Sequence, residues 1–197
     1  MARTTSTTLL VFTALAAAGC HRAPDPNLAN GGITVENGIA SRPMGPAPAE
    51  TRGQDFVSAV LGRYDFAAQS ARLATERADR PEVKQYARVL AGDLARSREA
   101  LAAIATGGSL KLDATPIDSS HADLAMIGSA HGAALEKLFA ERQLDYLSQL
   151  LGLMRAYGDG GDNAALKTWA AKDQALIGDR LSDLQTLDAT LKEAADK

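Results

Sequence analysis

From Thr51 to near the C-terminus, apolar residues recur every three or four positions, which is the period of an amphipathic α-helix. Four long segments show this pattern, and no segment alternates with a period of two over a useful length. In the first segment the apolar stripe consists of Phe56, Val60, Tyr64, Ala67, Ala68, Ala71 and Ala74. Because such stripes are buried best against one another, we predict an all-α protein with a four-helix bundle over residues 51–193.

Particular residues mark the ends of the first two helices. Thr51 and Gln54 have the spacing of a capping box, in which each side chain binds a backbone N–H group at the start of a helix. Pro81 suits the first position of the second helix, because the N–H group that proline lacks would have no partner there. Gly107-Gly108 then ends the second helix.

The two remaining long helices follow a connection that starts after Gly108. Ser119 or Ser120 can cap a short helix ahead of the third long helix. The third long helix is expected to stop in the glycine-rich segment 158–161, and the fourth to start at about Asp162.

The first twenty residues have the layout of an export signal. Arg3 precedes an apolar run over residues 9–18, about half of the roughly 20 residues that a membrane-spanning helix needs. The small residues Ala17-Ala18-Gly19 stand directly before Cys20, the one cysteine of the chain. They resemble the lipobox of bacterial lipoproteins, although Ala17 replaces the usual leucine. We expect residues 1–19 to be a lipoprotein signal peptide and Cys20 to carry the lipid; the alternative is an ordinary signal peptide that a cysteine follows by chance.

The lone cysteine and the segment after it favour an anchored domain. A single thiol in an oxidising compartment has no internal partner, and acylation removes its reactivity. Residues 20–50 contain five of the seven prolines and offer too little apolar area to offset the entropy of ordering them. We therefore expect a disordered linker with a span of roughly 30 Å between the bundle and a membrane.

The charges argue against one class of partner. The chain has 21 Lys and Arg against 24 Asp and Glu, which gives a net charge of -3. Acidic and basic residues are interspersed, and no basic stripe is present that would follow a phosphate backbone. We expect no nucleic-acid partner.

Residues that carry catalysis or bind metals are sparse. A metal-binding four-helix bundle presents Glu and Glu-x-x-His from facing helices, and this pattern is absent from the sequence. His21 falls in the predicted linker, while His121 and His131 would lie about 15 Å apart along a continuous helix. The sequence contains no Gly-x-Ser-x-Gly turn and no glycine-rich phosphate loop. We expect neither an enzyme nor a bound cofactor.

Three charged residues fall on or beside apolar stripes: Arg142 in the third long helix, and Asp173 and Arg180 in the fourth. One interpretation is that they lie at the edges of the stripes and reach solvent along their alkyl stems. The other is a buried ionic cluster, since an unpaired charge inside a bundle would strongly destabilise it.

Short motifs along the predicted bundle support a family resemblance. They are Gly53-Gln54-Asp55-Phe56-Val57, Leu73-Ala74, Pro81-Glu82-Val83-Lys84 with Tyr86-Ala87, and Leu166-Lys167 with Ala170-Ala171-Lys172. In this order they resemble the domain-of-unknown-function 4142 family over about residues 52 to 190. The resemblance implies an exported bacterial protein with a ferritin-like four-helix fold, and many members of that family are lipoproteins.

The resemblance also implies where metal ligands would lie. Members typically carry an Asp-His pair in the second and third helices, a histidine in the fourth and glutamates in the first. The corresponding residues here are Asp93-Leu94, Tyr146-Leu147, Arg180, Ala67 and Gln69. Only Asp93 remains as a ligand, and one carboxylate does not hold a transition metal. We therefore expect no metal site. We expect Arg180, at the position of the histidine in the fourth helix, to supply positive charge in place of an ion.

These observations favour a non-catalytic lipoprotein of the bacterial cell envelope, with a ferritin-like bundle that serves as a structural or interaction module. Its expected partners are the membrane, through the lipid on Cys20, and a further envelope protein. We expect a periplasmic location, with the outer membrane favoured over the inner because His21, and not aspartate, follows Cys20. The alternatives are a metal-binding or stress-related ferritin-like protein and, less favoured, a hydrolase with a diffuse site.

Overall fold

The structure, a computed structural model, describes residues 51–195. These residues form five helices and no strand, which confirms the all-α prediction. The predicted signal peptide (1–19), the linker (20–50) and Cys20 lie outside the described residues. The helices are α1 (Gly53–Arg77), α2 (Pro81–Gly107), α3 (Ser120–Ser129), α4 (Gly132–Gly160) and α5 (Ala164–Ala195).

The four long helices pack as two antiparallel hairpins, α1 with α2 and α4 with α5, and α1 lies against α4 while α2 lies against α5. Ring stacks fix the direction of α4, because Phe56 stacks on Tyr157 and Phe66 on Tyr146, with ring centroids 3.9 and 3.6 Å apart. Since α1 and α4 are therefore antiparallel, the connection from α2 to α4 runs the length of the bundle. A single long crossover is the connectivity of ferritin-like bundles.

The crossover, residues 108–131, lies along α1 and includes the predicted short helix α3. Its Thr115 N–H group donates to the carbonyl oxygen of Ser58 at 2.9 Å, within the first half of α1. Near the other end, the Arg77 guanidinium donates to the carbonyl oxygen of Ala130 at 2.9 Å and also binds that of Gly128. The crossover therefore covers the seam between α1 and α4.

Most of the predicted helix ends are correct. Pro81 is the first residue of α2, and the α2 helix ends at Gly107. The last long helix starts at Ala164, slightly later than expected, because the side-chain oxygen of Asn163 accepts the N–H groups of Ala165 and Leu166 at 3.0 and 3.1 Å. It continues to Ala195, past the predicted end at residue 193.

The predicted capping box of Thr51 and Gln54 is wrong. The residue that caps α1 is Arg52, and it makes no side-chain capping bond. The amide of Gln54 instead binds the crossover, accepting the N–H group of Lys111 at 2.8 Å and donating to the Lys111 carbonyl oxygen at 3.1 Å. The side chain of Gln54, which the local pattern assigned to the start of α1, therefore binds Lys111, a residue far away in the sequence.

The interior is built from the predicted stripes. Every residue of the α1 stripe is buried except Ala68, which is half-buried. The small side chains Ala67, Ala71 and Ala74 are at most 1% exposed and leave room for α4 to lie close. None of the described helices is both long enough and apolar enough to span a membrane.

A glutamate from α4 caps the start of α2. Glu136 is 1% exposed, and its Oε1 accepts the N–H groups of Asp79 and Arg80 at 2.9 and 2.7 Å. Its other oxygen lies 3.3 Å from Nε of Arg80. Because α2 has no capping side chain of its own, this contact supplies an acceptor for N–H groups at the start of the helix that have no partner within it.

Replacement of this glutamate tests the cap. We expect Glu136→Ala to lower the free energy of unfolding by about 2 kcal/mol, because it leaves two N–H groups and Arg80 without their acceptor. The control is Glu141→Ala on the same helix, where the carboxylate lies 3.8 Å from Lys137 and the loss should stay below about 0.5 kcal/mol. Equal losses in urea denaturation of the two variants would contradict the role of Glu136.

Candidate functional site

A group of polar side chains lies where α1, α2 and α5 meet inside the bundle. It consists of Tyr64 from α1, Asp93 and Ser97 from α2, and Asp173 and Arg180 from α5. We call these five residues the interior polar cluster. Asp93 and Ser97 are one turn apart on α2, and because α5 runs antiparallel to α2 they meet Arg180 and Asp173 respectively.

Asp173 carries one of the two buried carboxylates of this cluster. The residue is 6% exposed. The Tyr64 hydroxyl donates to its Oδ2 and the Ser97 hydroxyl donates to its Oδ1. Among residues 51–195 no cation forms an ion pair with it, so two hydroxyl groups replace the counter-ion.

The surroundings of Asp173 shift its proton affinity. Burial raises the pKa of the Asp173 carboxyl above its ordinary value, and the negative charge of Asp93 raises it further. The hydrogen bonds from Ser97 and Tyr64 act in the opposite direction, as does the charge of Lys172. Burial, followed by the charge of Asp173, raises the pKa of Tyr64 well above its ordinary value, so the phenol keeps its proton and acts as a donor.

The second carboxylate of the cluster is held between arginines. Nε of Arg180 lies 3.1 Å from Oδ2 of Asp93, and Arg96 binds the other carboxylate oxygen. The Asp93 side chain is 8% exposed and that of Arg180 22%, whereas Arg96 is 73% exposed. Arg180 also extends outward, with Nη1 2.7 Å from Oδ2 of Asp183. The inward partner of Asp93 is therefore Arg180.

Arg142 lies elsewhere, on the side of the bundle that the crossover covers. Its Nε is 3.2 Å from Oδ1 of Asp123 in α3. The other oxygen of Asp123 accepts the Tyr146 hydroxyl at 3.1 Å, and the Ser119 hydroxyl lies 3.0 Å from that of Tyr146. These contacts bind the short helix α3 to α4.

The hypothesis of one ionic cluster that joins Arg142, Asp173 and Arg180 is therefore wrong. Asp173 and Arg180 belong to the same interior polar cluster but bind different groups, and Arg142 pairs with the crossover helix. The reason is that Asp93 and Asp123 supply a separate acceptor for each arginine. The alternative of stripe-edge residues fits the two partly exposed arginines but not the buried Asp173.

The positions that the family resemblance assigned to metal ligands have other roles. Leu94 and Leu147 belong to the apolar core, Tyr146 binds Asp123, and Gln69 is exposed. Ala67 is buried, and its carbonyl oxygen accepts the side-chain amide of Gln143 at 3.0 Å. Arg180 pairs with Asp93 and so brings a positive charge to this carboxylate.

The histidines and carboxylates of the described residues do not form a metal-binding group. No three His, Cys, Asp or Glu side chains of residues 51–195 lie close enough together to share an ion. His121 and His131 are both exposed, and His131 lies beside Arg77, with Nδ1 3.0 Å from the guanidinium. The two histidines therefore do not join a ligand set.

Sequence reasoning missed three members of these networks. Tyr64 was assigned to the apolar stripe. The sequence pattern predicted no polar contact for Ser97 and no capping role for Glu136. The spacing of Asp93 and Ser97 by one helical turn was the only local signal. Their partners lie on other helices, so the bonds follow only from the packing.

The fold and this site define a class: an all-α bundle of ferritin-like connectivity that holds an ion pair in its interior. A family comparison gives the particular group, because residues 40–187 match the family described as a domain of unknown function (DUF4142). The chain belongs to this family. No curated protein and no solved structure matches the chain.

Proposed function

We propose that this protein is a non-enzymatic lipoprotein of the bacterial cell envelope, with a helical bundle that acts as a structural or interaction module. The envelope part of the proposal rests on the sequence around Cys20, and one observation carries the part that concerns the bundle: Arg180 pairs with Asp93 at 3.1 Å where a metal-holding bundle would need a further ligand. A guanidinium is always protonated in proteins and donates hydrogen bonds only, so it repels a metal ion.

The contacts around this pair also argue against catalysis in the interior. Ser97 donates its hydroxyl hydrogen to Asp173, and both residues are at most 6% exposed. An activated nucleophile needs a neighbouring base and access for a substrate. In this cluster the serine is buried beneath the packed helices and is hydrogen-bonded to a carboxylate. A substrate has no access to it, so these contacts fit a structural network.

Elemental analysis tests the absence of a resident metal. The mature protein is expressed in medium with iron, manganese and zinc, then purified without chelators and analysed by mass spectrometry. We expect less than about one ion per ten chains, because the two carboxylates of the interior polar cluster, one of them paired with Arg180, do not supply a set of three or four ligands. A stoichiometric amount of any of the three metals would overturn the proposal in favour of a metal-binding or stress-related protein.

The envelope anchor is tested separately at Cys20. We expect the full-length chain, grown with an alkyne-labelled fatty acid, to take up the label and sediment with membranes, preferably those of the outer membrane. Cys20→Ala should lose the label and leave the membrane fraction, because the thiol is the acceptor for the lipid. His21→Ala is the matched control and should retain the label. Label that persists in the Cys20→Ala protein would contradict the anchor.

A further inference from the structure

The Asp93–Arg180 contact differs from the surface ion pairs of this chain. The Asp93 side chain is 8% exposed, whereas in the Arg72–Glu76 pair on α1 both side chains are more than half exposed. A carboxylate at this depth strongly destabilises a fold when it has no partner. Arg180 is the less exposed of the two arginines that bind Asp93, since Arg96 is 73% exposed and Arg180 only 22%, so Arg180 supplies the inward cation for this carboxylate.

The acceptors around that position fit one shape of cation. Nε of Arg180 is 3.1 Å from Oδ2 of Asp93, while Nη1 is 2.7 Å from Oδ2 of Asp183, so different nitrogens of one planar group lie within ion-pair distance of two carboxylates. A planar guanidinium serves both acceptors at once, whereas a compact ammonium presents a single point charge. The negative charge of Asp93 also acts on Asp173, which places a third carboxylate within electrostatic range.

We propose that the interior polar cluster is a guanidinium-binding site that the protein fills with its own Arg180, and that it binds a free guanidinium cation once this side chain is shortened. The inference rests on the proposed function, since it assigns to Arg180 the place of a bound ion. It extends that function by naming the class of cation that the site selects.

Chemical rescue of Arg180→Ala tests this site. The thermal midpoint of the mature Arg180→Ala protein is measured with and without millimolar ethylguanidinium chloride, at an ionic strength held constant with sodium chloride. A cation that binds the folded state shifts the folding equilibrium by mass action. We therefore expect the midpoint to rise by about 3 °C when the ethylguanidinium concentration is about ten times its dissociation constant. The wild-type protein should not respond, because Arg180 occupies the site.

Two controls separate recognition from general salt effects. Ethylammonium chloride at the same concentration should raise the midpoint much less, since it cannot meet both carboxylates. The double variant Asp93→Asn/Arg180→Ala has no uncompensated interior carboxylate at position 93; we expect it to melt above Arg180→Ala and to ignore ethylguanidinium. Should Arg180→Ala fail to fold alone, the refolded fraction with and without ethylguanidinium provides the same comparison.

The outcomes are distinct. No rescue of Arg180→Ala, equal rescue by ethylammonium, or equal rescue of the double variant would overturn the guanidinium site and leave the metal analysis of the wild-type protein unaffected. Preferential rescue by added Mn²⁺ or Zn²⁺ would also overturn it, because the site would then select a metal ion. A resident metal in the wild-type protein would instead refute the proposed function, whatever the variant does.

Discussion

Gly62→Ala is expected to lower the free energy of unfolding by about 3 kcal/mol, among the larger losses for a single added methyl group. A Cβ atom at position 62 would lie 2.0 Å from the carbonyl oxygen of Thr115 and 3.2 Å from its carbonyl carbon. Both are backbone atoms of the crossover, which Thr115 anchors to Ser58 of α1. The methyl group can be accommodated only if the crossover moves away from α1.

A second glycine gives a matched control. Gly178 lies within α5, and a Cβ atom there would have nothing within 4 Å. Gly178→Ala should stabilise the protein by about 0.5–1 kcal/mol, because alanine loses less backbone entropy than glycine in a helix. Chemical denaturation measures both variants. The close approach of the crossover would be refuted if Gly62→Ala were as stable as the wild-type protein.

The second large effect is expected at Asp173. Asp173→Ala should lower the free energy of unfolding by about 3 kcal/mol, because the buried hydroxyl groups of Tyr64 and Ser97 both lose their acceptor. Asp179→Ala, an exposed position on the same helix, should change the stability by less than about 0.5 kcal/mol. A loss below about 1 kcal/mol for Asp173→Ala would exclude the buried paired role of this residue.

Asp173→Asn separates the charge from the hydrogen bonds. Asparagine can accept the Tyr64 hydroxyl hydrogen and donate to Ser97, so the shape of the network is retained. In the wild-type protein, burial and Asp93 raise the pKa of Asp173, so the folded state binds this proton more tightly than the unfolded chain. The stabilisation by the bound proton is present in full below the ordinary carboxyl pKa and is lost as the pH rises through the raised value.

The stability difference between wild type and Asp173→Asn should therefore change in favour of the variant as the pH rises above the ordinary carboxyl pKa. Denaturation curves of both proteins at each pH give this difference, in which the contributions of carboxylates distant from Asp173 cancel. A change in favour of the wild-type protein would mean that Asp173 binds its proton less tightly when folded, which contradicts the surroundings described for it.

Much of the fold could be predicted because the signals were local. Stripes at helical spacing identified the four long helices, and the residues of the α1 stripe are buried in the structure except for the half-buried Ala68. Pro81 and Gly107 are the first and last residues of α2, and the fixed φ and missing N–H group of proline act at its own position. Short motifs in order along the chain were enough to identify the family.

The candidate site was predictable only in part. Arg180 was expected to bring a positive charge to a ligand position, and its contact with Asp93 confirms this expectation. The sequence could not show that Arg142 of α4 pairs with Asp123 of α3. The position of α3 against α4 depends on the path that the crossover, residues 108–131, takes along the bundle. Gln54 illustrates the same limit, as its amide binds Lys111 instead of the start of its own helix.

The sequence by itself determined the helices, their buried faces and the family of this protein, because each rests on residues within a few turns of one another. The tertiary structure decided which polar groups meet: Asp93 with Arg180, Asp173 with two hydroxyl groups, and Glu136 with the start of α2. These contacts join residues on different helices. They depend on the direction, register and rotation of packed helices, which the helical period of a single segment does not specify.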